Sequence, residues 1–447
     1  MCIRDSTYTW ELDQQVVSTE KTFHYVGNTL GTFSGRLIVA NEDGKAFYIF
    51  TLNVNSPYEY GIAILSKDVD NRPHIAFMQE PMREGDKKEF YMENCLERNN
   101  PEQLFASNPA DMIQTTGIII LACQGDATKT DDEPTIYFLN EKTFVVENMV
   151  VGSEYESFKP TKLLIPSYSS TGISYPVLSA DGKMYSLPAS DAVLQPSSKF
   201  TSTYAQTAFV TCESSSYCDI IVWDNEVNAL AVLYNNYGPY YCGSKYLLQR
   251  DSLSTDTYYK EKFSGLKGVR TLAYINKTKE QLSGSYSELI AIVQAPLQLQ
   301  KAVIGTFFWR HLDGTVAGYE VLDKGKGFQK AASRNYSLID ENTPCVANAT
   351  YETLLFANGN KVMRWYYNKL NEYLENADEL LSVGSDNAVI TSFEISEDHM
   401  KTYVAFYEPG QEGKNGSVWV FETGTGKIIE QYNNICYQPA KVIYKKK

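Results

Sequence analysis

One pattern recurs along most of this chain: a β-rich run, a tight turn of Gly, Asp or Asn, and a second β-rich run. It occurs as "GIAILSKDVDNRPHIAFM" (61–78), "TIYFLNEKTFVVENM" (135–149), "PVLSADGKMYSLPA" (176–189) and "DIIVWDNEVNALAVLYN" (219–235). It returns as "VIGTFFWRHLDGTVAGYEV" (303–321), "LLFANGNKVMRWYYN" (354–368) and "GSVWVFETGTGKIIEQY" (416–432). Such runs read as hairpins, and their spacing of about 55 residues leaves room for long loops. Hairpins at regular intervals, without amphipathic helices between them, favour radial repetition. The expectation is an all-β chain whose region 58–447 forms a β-propeller of about seven blades, with six as the alternative. Two stretches compete as helices, "NPEQLFASNPADMIQ" (100–114) and "NKLNEYLENADELL" (368–381), where Leu370, Tyr373 and Leu374 have helical spacing. A ring needs a closing strand, and "AKVIYK" (440–445) is expected to pair with the first strands after Tyr60.

The residues before the array read differently. "TYTWEL", "TFHYV", "GTFSGRLIVAN" and "KAFYIFTLNVN" are short strands, with Asp43-Gly44 as the turn between the last two. Tyr48, Phe50, Leu52 and Val54 alternate with Phe47, Ile49, Thr51 and Asn53, so the first set is expected to face a core. Residues 7–57 are therefore predicted to be a partial PKD/Ig-like sandwich. Residues 1–6, "MCIRDS", show neither a signal peptide nor the start of a fold. Reverse-translated, Met1 to Asp5 is compatible with a library adapter, and residues 1–6 are expected to be a sequencing or cloning scar on a truncated frame. On that reading one side of the core is uncovered, with Trp10 and Leu37 or Val39 more exposed than in a complete domain.

Charge excludes some partners. With 40 Lys+Arg against 54 Asp+Glu the net charge is −14, which repels phosphate backbones, so nucleic acid is not an expected partner. Aromatic residues make up 13%, including 33 Tyr, as suits strands with an amphipathic face. The longest apolar run, "GIIILAC" at 117–123, is far shorter than a membrane helix.

Chemistry-bearing motifs are sparse. His24, His74, His311 and His399 lie far apart and outside any catalytic motif. "SADGKMY" (179–185) resembles a single sialidase-type Asp-box, but Asp181-Gly182 is more simply a hairpin turn, as are Asp313-Gly314 and Asn415-Gly416. Asp126, Asp131 and Asp132, or Asp68 and Asp70, lack the full ligand set of a calcium loop and read as solvated turns. No cofactor, metal or catalytic residue is expected. Trp223, Trp309, Trp365 and Trp419 lie in hairpin strands and read as blade packing. Tyr237, Tyr240 and Tyr241 flank Gly238-Pro239 in "YNNYGPYYCGSKY" and are the candidate ligand-binding surface, since flat aromatic faces stack on sugars or anchor partners. A loop folded onto its own blade is the plainer alternative. Of the 8 Cys, none is in a CxxC pair. Cys212 and Cys218 flank "ESSSY" and are expected to face each other across a hairpin, within reach of a disulfide.

The order "YTW", "GTFSGRLIVANEDGKAFYIFTLNV", "SPYEYGIAILSKD" and the closing "KTYVAFYEPGQEGKNGSVWVFETGTGKIIEQYNNICYQPAKVIYKKK" resembles the PKD-like-family lipoproteins of Bacteroidota. Asn434 and Cys436 depart from that family's aliphatic-rich glycine motif. The resemblance implies a lipid-anchored protein of the outer membrane at the cell surface, near uptake systems for polysaccharides. The expected function is non-enzymatic binding of an extracellular glycan or peptide, or of an uptake-complex protein. Two alternatives remain: a propeller hydrolase or lyase acting on polysaccharide, and a structural spacer. A hydrolase should bring two or more carboxylates, or a His/Tyr/Arg cluster, together at the central channel.

Overall fold

The computed structural model describes residues 6–27, 29–80, 88–91, 94–155, 157–164, 174–188, 193–196, 202–214, 217–226, 229–235, 245–247, 271–281, 286–294, 300–312, 315–322, 329–330, 338–367 and 374–446. The chain divides into two compact units, Met1–Tyr60 with Lys447, and Gly61–Lys446.

The first unit is one antiparallel sheet of four strands, β1 (Thr7–Leu12), β2 (Gln15–Ser18), β3 (Gly31–Asn41) and β4 (Gly44–Val54), in the order β2-β1-β3-β4. It is a single layer among the described residues. Asn41 Oδ1 accepts the N–H groups of Asp43 and Gly44, so the expected turn joins β3 to β4. "TFHYV" is not a strand. Its aromatic side chains lie on the sheet: Phe23 stacks on Trp10 at 5.1 Å, Tyr25 contacts Phe33, and Trp10 meets the edge of Phe50. Gly35 permits that packing, because a Cβ there would run into the Phe50 ring. Trp10, Leu37 and Val39 are half-buried, and Phe50, Leu52 and Val54 are the more covered set of β4. Tyr48 departs from the alternation, being 66% exposed beside Phe47 and Ile49 at the turn end of the strand.

Among the described residues the second unit is a ring of seven antiparallel sheets. Blade 1 contains β5 (Gly61–Lys67), β6 (Pro73–Gln79) and β7 (Phe90–Tyr91); helix α1 (Cys95–Asn99) follows it. Blade 2 is β8 (Pro109–Thr115), β9 (Ile118–Cys123), β10 (Thr135–Asn140) and β11 (Val146–Val151). Blade 3 is β12 (Pro160–Leu163), β13 (Ser174–Ser179), β14 (Met184–Pro188) and β15 (Gln195–Pro196). Blade 4 is β16 (Phe209–Ser214), β17 (Tyr217–Asp224), β18 (Ala229–Asn235) and β19 (Lys245–Leu247). Blade 5 is β20 (Thr271–Gln281), β21 (Tyr286–Gln294), β22 (Gln300–Leu312) and β23 (Thr315–Leu322), with β24 (Gln329–Lys330) beside β22. Blade 6 is β25 (Cys345–Asn348), β26 (Thr353–Asn358), β27 (Lys361–Tyr366) and β28 (Asp378–Ser382). Blade 7 is β29 (Val389–Ile395), β30 (Lys401–Tyr407), β31 (Gly416–Glu422) and β32 (Ile428–Cys436).

The final strand, β33 (Gln438–Lys445), returns to blade 1 and pairs with β5, giving the order β33-β5-β6-β7. Among the described residues, first strands of successive blades adjoin one another at six of the seven junctions, all but that of β12 with β16: β33 with β8, β8 with β12, β16 with β20, β20 with β25, β25 with β29, and β29 with β33. Four-stranded sheets whose first strands circle an axis, sealed by a strand from the far end of the chain, form a seven-bladed β-propeller. Each of the seven hairpins seen in the sequence falls in a different blade. Ring closure has a second fastening at the rim, where Lys88 donates to Glu430 at 2.6 Å and lies over the ring of Tyr432.

The core sits between blade faces. Ile120, Ile136 and Phe138 of blade 2 pack on Phe158, Val177, Tyr185 and Leu187 at blade 3, and Ile62, Ile64 and Val442 of blade 1 pack on Ala405, Val418 and Val420 of blade 7. Strands covered on both faces lose the polar alternation, hence "IIILAC" and "GIAIL". Trp223 and Trp365 are fully buried, and Trp419 packs edge-on against Phe406. Residues 100–114 are not a helix: α1 ends at Asn99, and from Pro109 the chain is the innermost strand of blade 2. Over 368–381 the described part is a single 3-10 turn, Leu374–Asn376, leading into β28.

Candidate functional site

The expected tyrosine surface, Tyr237, Tyr240 and Tyr241, lies outside the described residues. So does the Asp313-Gly314 turn. Cys212 and Cys218 are direct partners in the β16–β17 register. Asp181-Gly182 is the β13–β14 turn, with Gly182 at φ +79 and its Cα face against the Tyr204 backbone. The two acidic loops meet without forming a cation cage. Asp68 caps its own turn by accepting from Asp70 and Arg72 and holds His74 Nε2 at 3.0 Å. Arg72 Nη1 lies 3.6 Å from the buried carboxylate of Asp132, so these residues join blades 1 and 2. Among the described residues, no group of three or more His, Cys, Asp or Glu could hold a metal ion.

The chemistry-bearing cluster is elsewhere, on the innermost strands. Three of these share one local design: β8 and β12 open with proline and β33 has Pro439 as its second residue, and the register of each against the next strand jumps between Pro439 and Lys441, Pro109 and Asp111, and Pro160 and Lys162. A bulge at the edge of a sheet re-aims the side chain that follows it. β29 has the same jump, between Ile390 and Ser392. Lys441, Asp111, Lys162 and Ser392 therefore occupy equivalent positions on blades 1, 2, 3 and 7.

At two of these positions the side chain is an acceptor that ties one blade to the next. Asp111 Oδ2 accepts the Leu163 N–H at 2.9 Å, and Ser392 Oγ accepts the Val442 N–H at 3.2 Å. The residue bonded is in each case the one after the equivalent position on the following blade. Lysine cannot accept a hydrogen bond. Accordingly the Met112 N–H, which would turn to Lys441, is taken by Asp111 Oδ1 at 3.0 Å. Lys441 Nζ lies 3.5 Å from Asp111 Oδ1, and its side chain is 35% exposed although walled by protein. The Lys162 side chain has no hydrogen bond or ion pair among the described residues.

Electrostatics follow from this crowding. Burial, reinforced by Lys441 and opposed by Asp111, pushes the Lys162 ammonium down to about 8. Asp111 holds Lys441 above the usual lysine range against burial, with help from Glu394. Glu394, two residues beyond Ser392, is pushed up to about 7 by burial, with Lys441 pulling the other way. Two amines that make no backbone bond thus lie near two carboxyl groups, Asp111, which takes the Leu163 and Met112 N–H groups, and Glu394, which takes the Ile395 N–H. The sequence carried a sign of this, "PADMI", "PTKLL" and "PAKVI", a proline, one residue, a charge and two apolar residues.

No protein-family model matches the chain, and no curated protein matches it. Solved structures similar to it include a quinonprotein alcohol dehydrogenase-like protein from Bacteroides thetaiotaomicron VPI-5482, at 13% identity over 99% of this chain and 92% of that one, with TM-score 0.45. A protein from Bacteroides fragilis NCTC 9343, described as a candidate 6-phosphogluconolactonase, is similar at 11% identity over 86% and 98%, with TM-score 0.46. The Dos1 propeller is similar at 9% identity over 89% and 91%, with TM-score 0.42. At such low identity and TM-score these likenesses bear no weight on activity, and the assignment stands on strand pairing: the chain folds as a β-propeller preceded by a small antiparallel sheet.

Proposed function

We propose that this chain is a non-enzymatic binding propeller of the cell surface, related to the PKD-like-family lipoproteins, which holds an extracellular glycan or peptide for an outer-membrane uptake system. The observation that supports a binding role is the inner-strand cluster, where the Lys162 ammonium has no hydrogen-bond or ion-pair partner among the described residues. Hydrolysis of a glycosidic bond commonly needs two available carboxyl groups. Asp111 is occupied by Leu163 N–H, Met112 N–H and Lys441, which leaves Glu394 alone in this cluster. The test is a glycan array and a peptide pull-down on the purified full chain; binding that is lost on heating and competed by the free ligand is the expected result.

One observation favours an alternative. Glu394 retains its proton up to about 7 and so has the character of a general acid at neutral pH. Release of reducing sugar from a polysaccharide by the wild-type chain, abolished in Glu394→Gln, would replace the binding reading with hydrolysis.

A further inference from the structure

Every inner strand needs its exposed N–H groups satisfied, and the equivalent position after the bulge is where a neighbouring blade can supply the acceptor. Asp111 and Ser392 do this. Lys441 and Lys162 stand at the same position on the blades either side of Asp111 and offer only donors. Asp111 answers the Lys441 ammonium, but the Lys162 ammonium has no ion pair among the described residues, and because Glu394 keeps its proton up to about 7 the two amines outnumber the ionised carboxylates below that pH, in a chain of net charge −14. The two amines repel, since each disfavours the charge of its neighbour. An oxyanion between them relieves that repulsion and takes up the unused N–H donors.

We propose that Lys162 and Lys441 form an anion-binding site on the inner strands of the propeller, which receives a small oxyanion group, a carboxylate or phosphate, borne by the ligand. This deepens the binding reading above and rests on it. Asp111 is a positioning residue: it fixes the Lys441 ammonium at 3.5 Å and anchors β12 through Leu163, the residue beside Lys162. Protonation is coupled to occupancy. The charged groups acting on Lys162 are Lys441 and Asp111, while Glu394 faces Lys441. Because Lys162 loses its proton at about 8 in the empty chain, a bound anion should draw a proton onto it near that pH.

The experiment is calorimetric titration of the full chain with galacturonate, inorganic phosphate and, as the neutral control, galactose, in wild type, Lys162→Met and Lys162→Arg. Wild type should bind at least one of the two anions and not galactose; the anion that binds identifies a carboxylate or a phosphate site. Lys162→Met should weaken binding about tenfold or more, and Lys162→Arg by less than about threefold, as loss and retention of a charge-assisted bond predict. Affinity should fall between about pH 7 and about pH 9 as the amine discharges, with proton uptake visible as a buffer-dependent enthalpy. The Lys162 side chain makes no bond among the described residues, so equal melting temperatures should show that the variants are folded. Should Lys162→Met unfold, Lys162→Gln is titrated in its place and read in the same way. Failure of wild type to bind either anion at about 10 mM, a far weaker affinity than about 1 mM for a useful site, overturns the inference. So does binding by a folded Lys162→Met or Lys162→Gln at wild-type strength. If arrayed neutral glycans or peptides still bind, only the anion site falls; if nothing binds, the binding reading falls with it.

Discussion

Glu394 shows how one side chain records its surroundings. Its equivalents on blades 1, 2 and 3 are Ile443, Ile113 and Leu164, so a carboxyl occupies a place the fold elsewhere fills with aliphatic carbon. Burial raises its folded pKa to about 7 from the ordinary 4.5 of a glutamate. Between these limits the folded chain keeps a proton that the unfolded chain has released. Stability contributed at this position therefore falls as pH rises through that window, and the full cost is present above it. Glu394→Gln should remove this slope, leaving the variant about 1 kcal/mol more stable than wild type at pH about 8 and indistinguishable near pH about 4.5, a discounted figure because the group is partly solvated. Parallel pH dependences of urea midpoints in the two proteins would refute the assignment. Neither Glu394 nor the residues around it stood out in the sequence, because a lone charge inside an apolar β-run looks like a solvent-facing position. Only the repetition of proline, spacer and charge on three inner strands marks the place, and that repeat becomes meaningful once the strands are known to be equivalent.

Hairpins are the elements that the sequence expressed most clearly. Turns such as Asn358-Gly359 and Asp181-Gly182 are local chemistry, Gly359 and Gly182 having φ of +63 and +79, and need no distant contact to be recognised. The inner strands are another matter: β8, β12 and β33 are defined by bulges and by neighbours on other blades, and residues 100–114 show apolar spacing that fits a helix until Pro109 is placed at a strand edge. "TFHYV" misled for the opposite reason, since its aromatic content reflects covering a sheet rather than joining it. The β16–β17 hairpin supplies a test at this scale. Directly opposed residues of an antiparallel pair lie ~4.5–5.5 Å apart at Cα, inside the range for a disulfide. Under oxidising conditions, peptide mapping should therefore find Cys212 linked to Cys218. The buried thiols of Cys95, Cys123 and Cys436 should resist alkylation until the chain is denatured. Free Cys212 and Cys218 in oxidised protein would exclude the bridge.

For the propeller as a whole, closure concentrates in a single strand. Through Val442, β33 pairs with Ile64 of β5, packs against blade 7 and donates its N–H to Ser392. Val442→Pro removes that donor from the innermost strand and leaves Ser392 without it, which costs about 1–3 kcal/mol. The expected result is a broadened or split thermal transition, with blade 1 and blade 7 exchanging amide hydrogens earlier than blades 2 and 3; a melt superimposable on wild type would mean that the ring does not depend on this strand. The rim pair Lys88–Glu430 cannot compensate, because it is side chain to side chain and partly solvated. Pairing of β33 with β5 also sets a clock for biosynthesis. Strand β5 leaves the ribosome some 370 residues ahead of β33, which at roughly 5–20 residues per second is on the order of 20–70 s. Throughout that interval "GIAIL", apolar and β-prone, has one hydrogen-bonding edge vacant. Nascent chains of this protein therefore need a holding factor, or a slow late phase of folding, in which the last strand made completes the first blade begun.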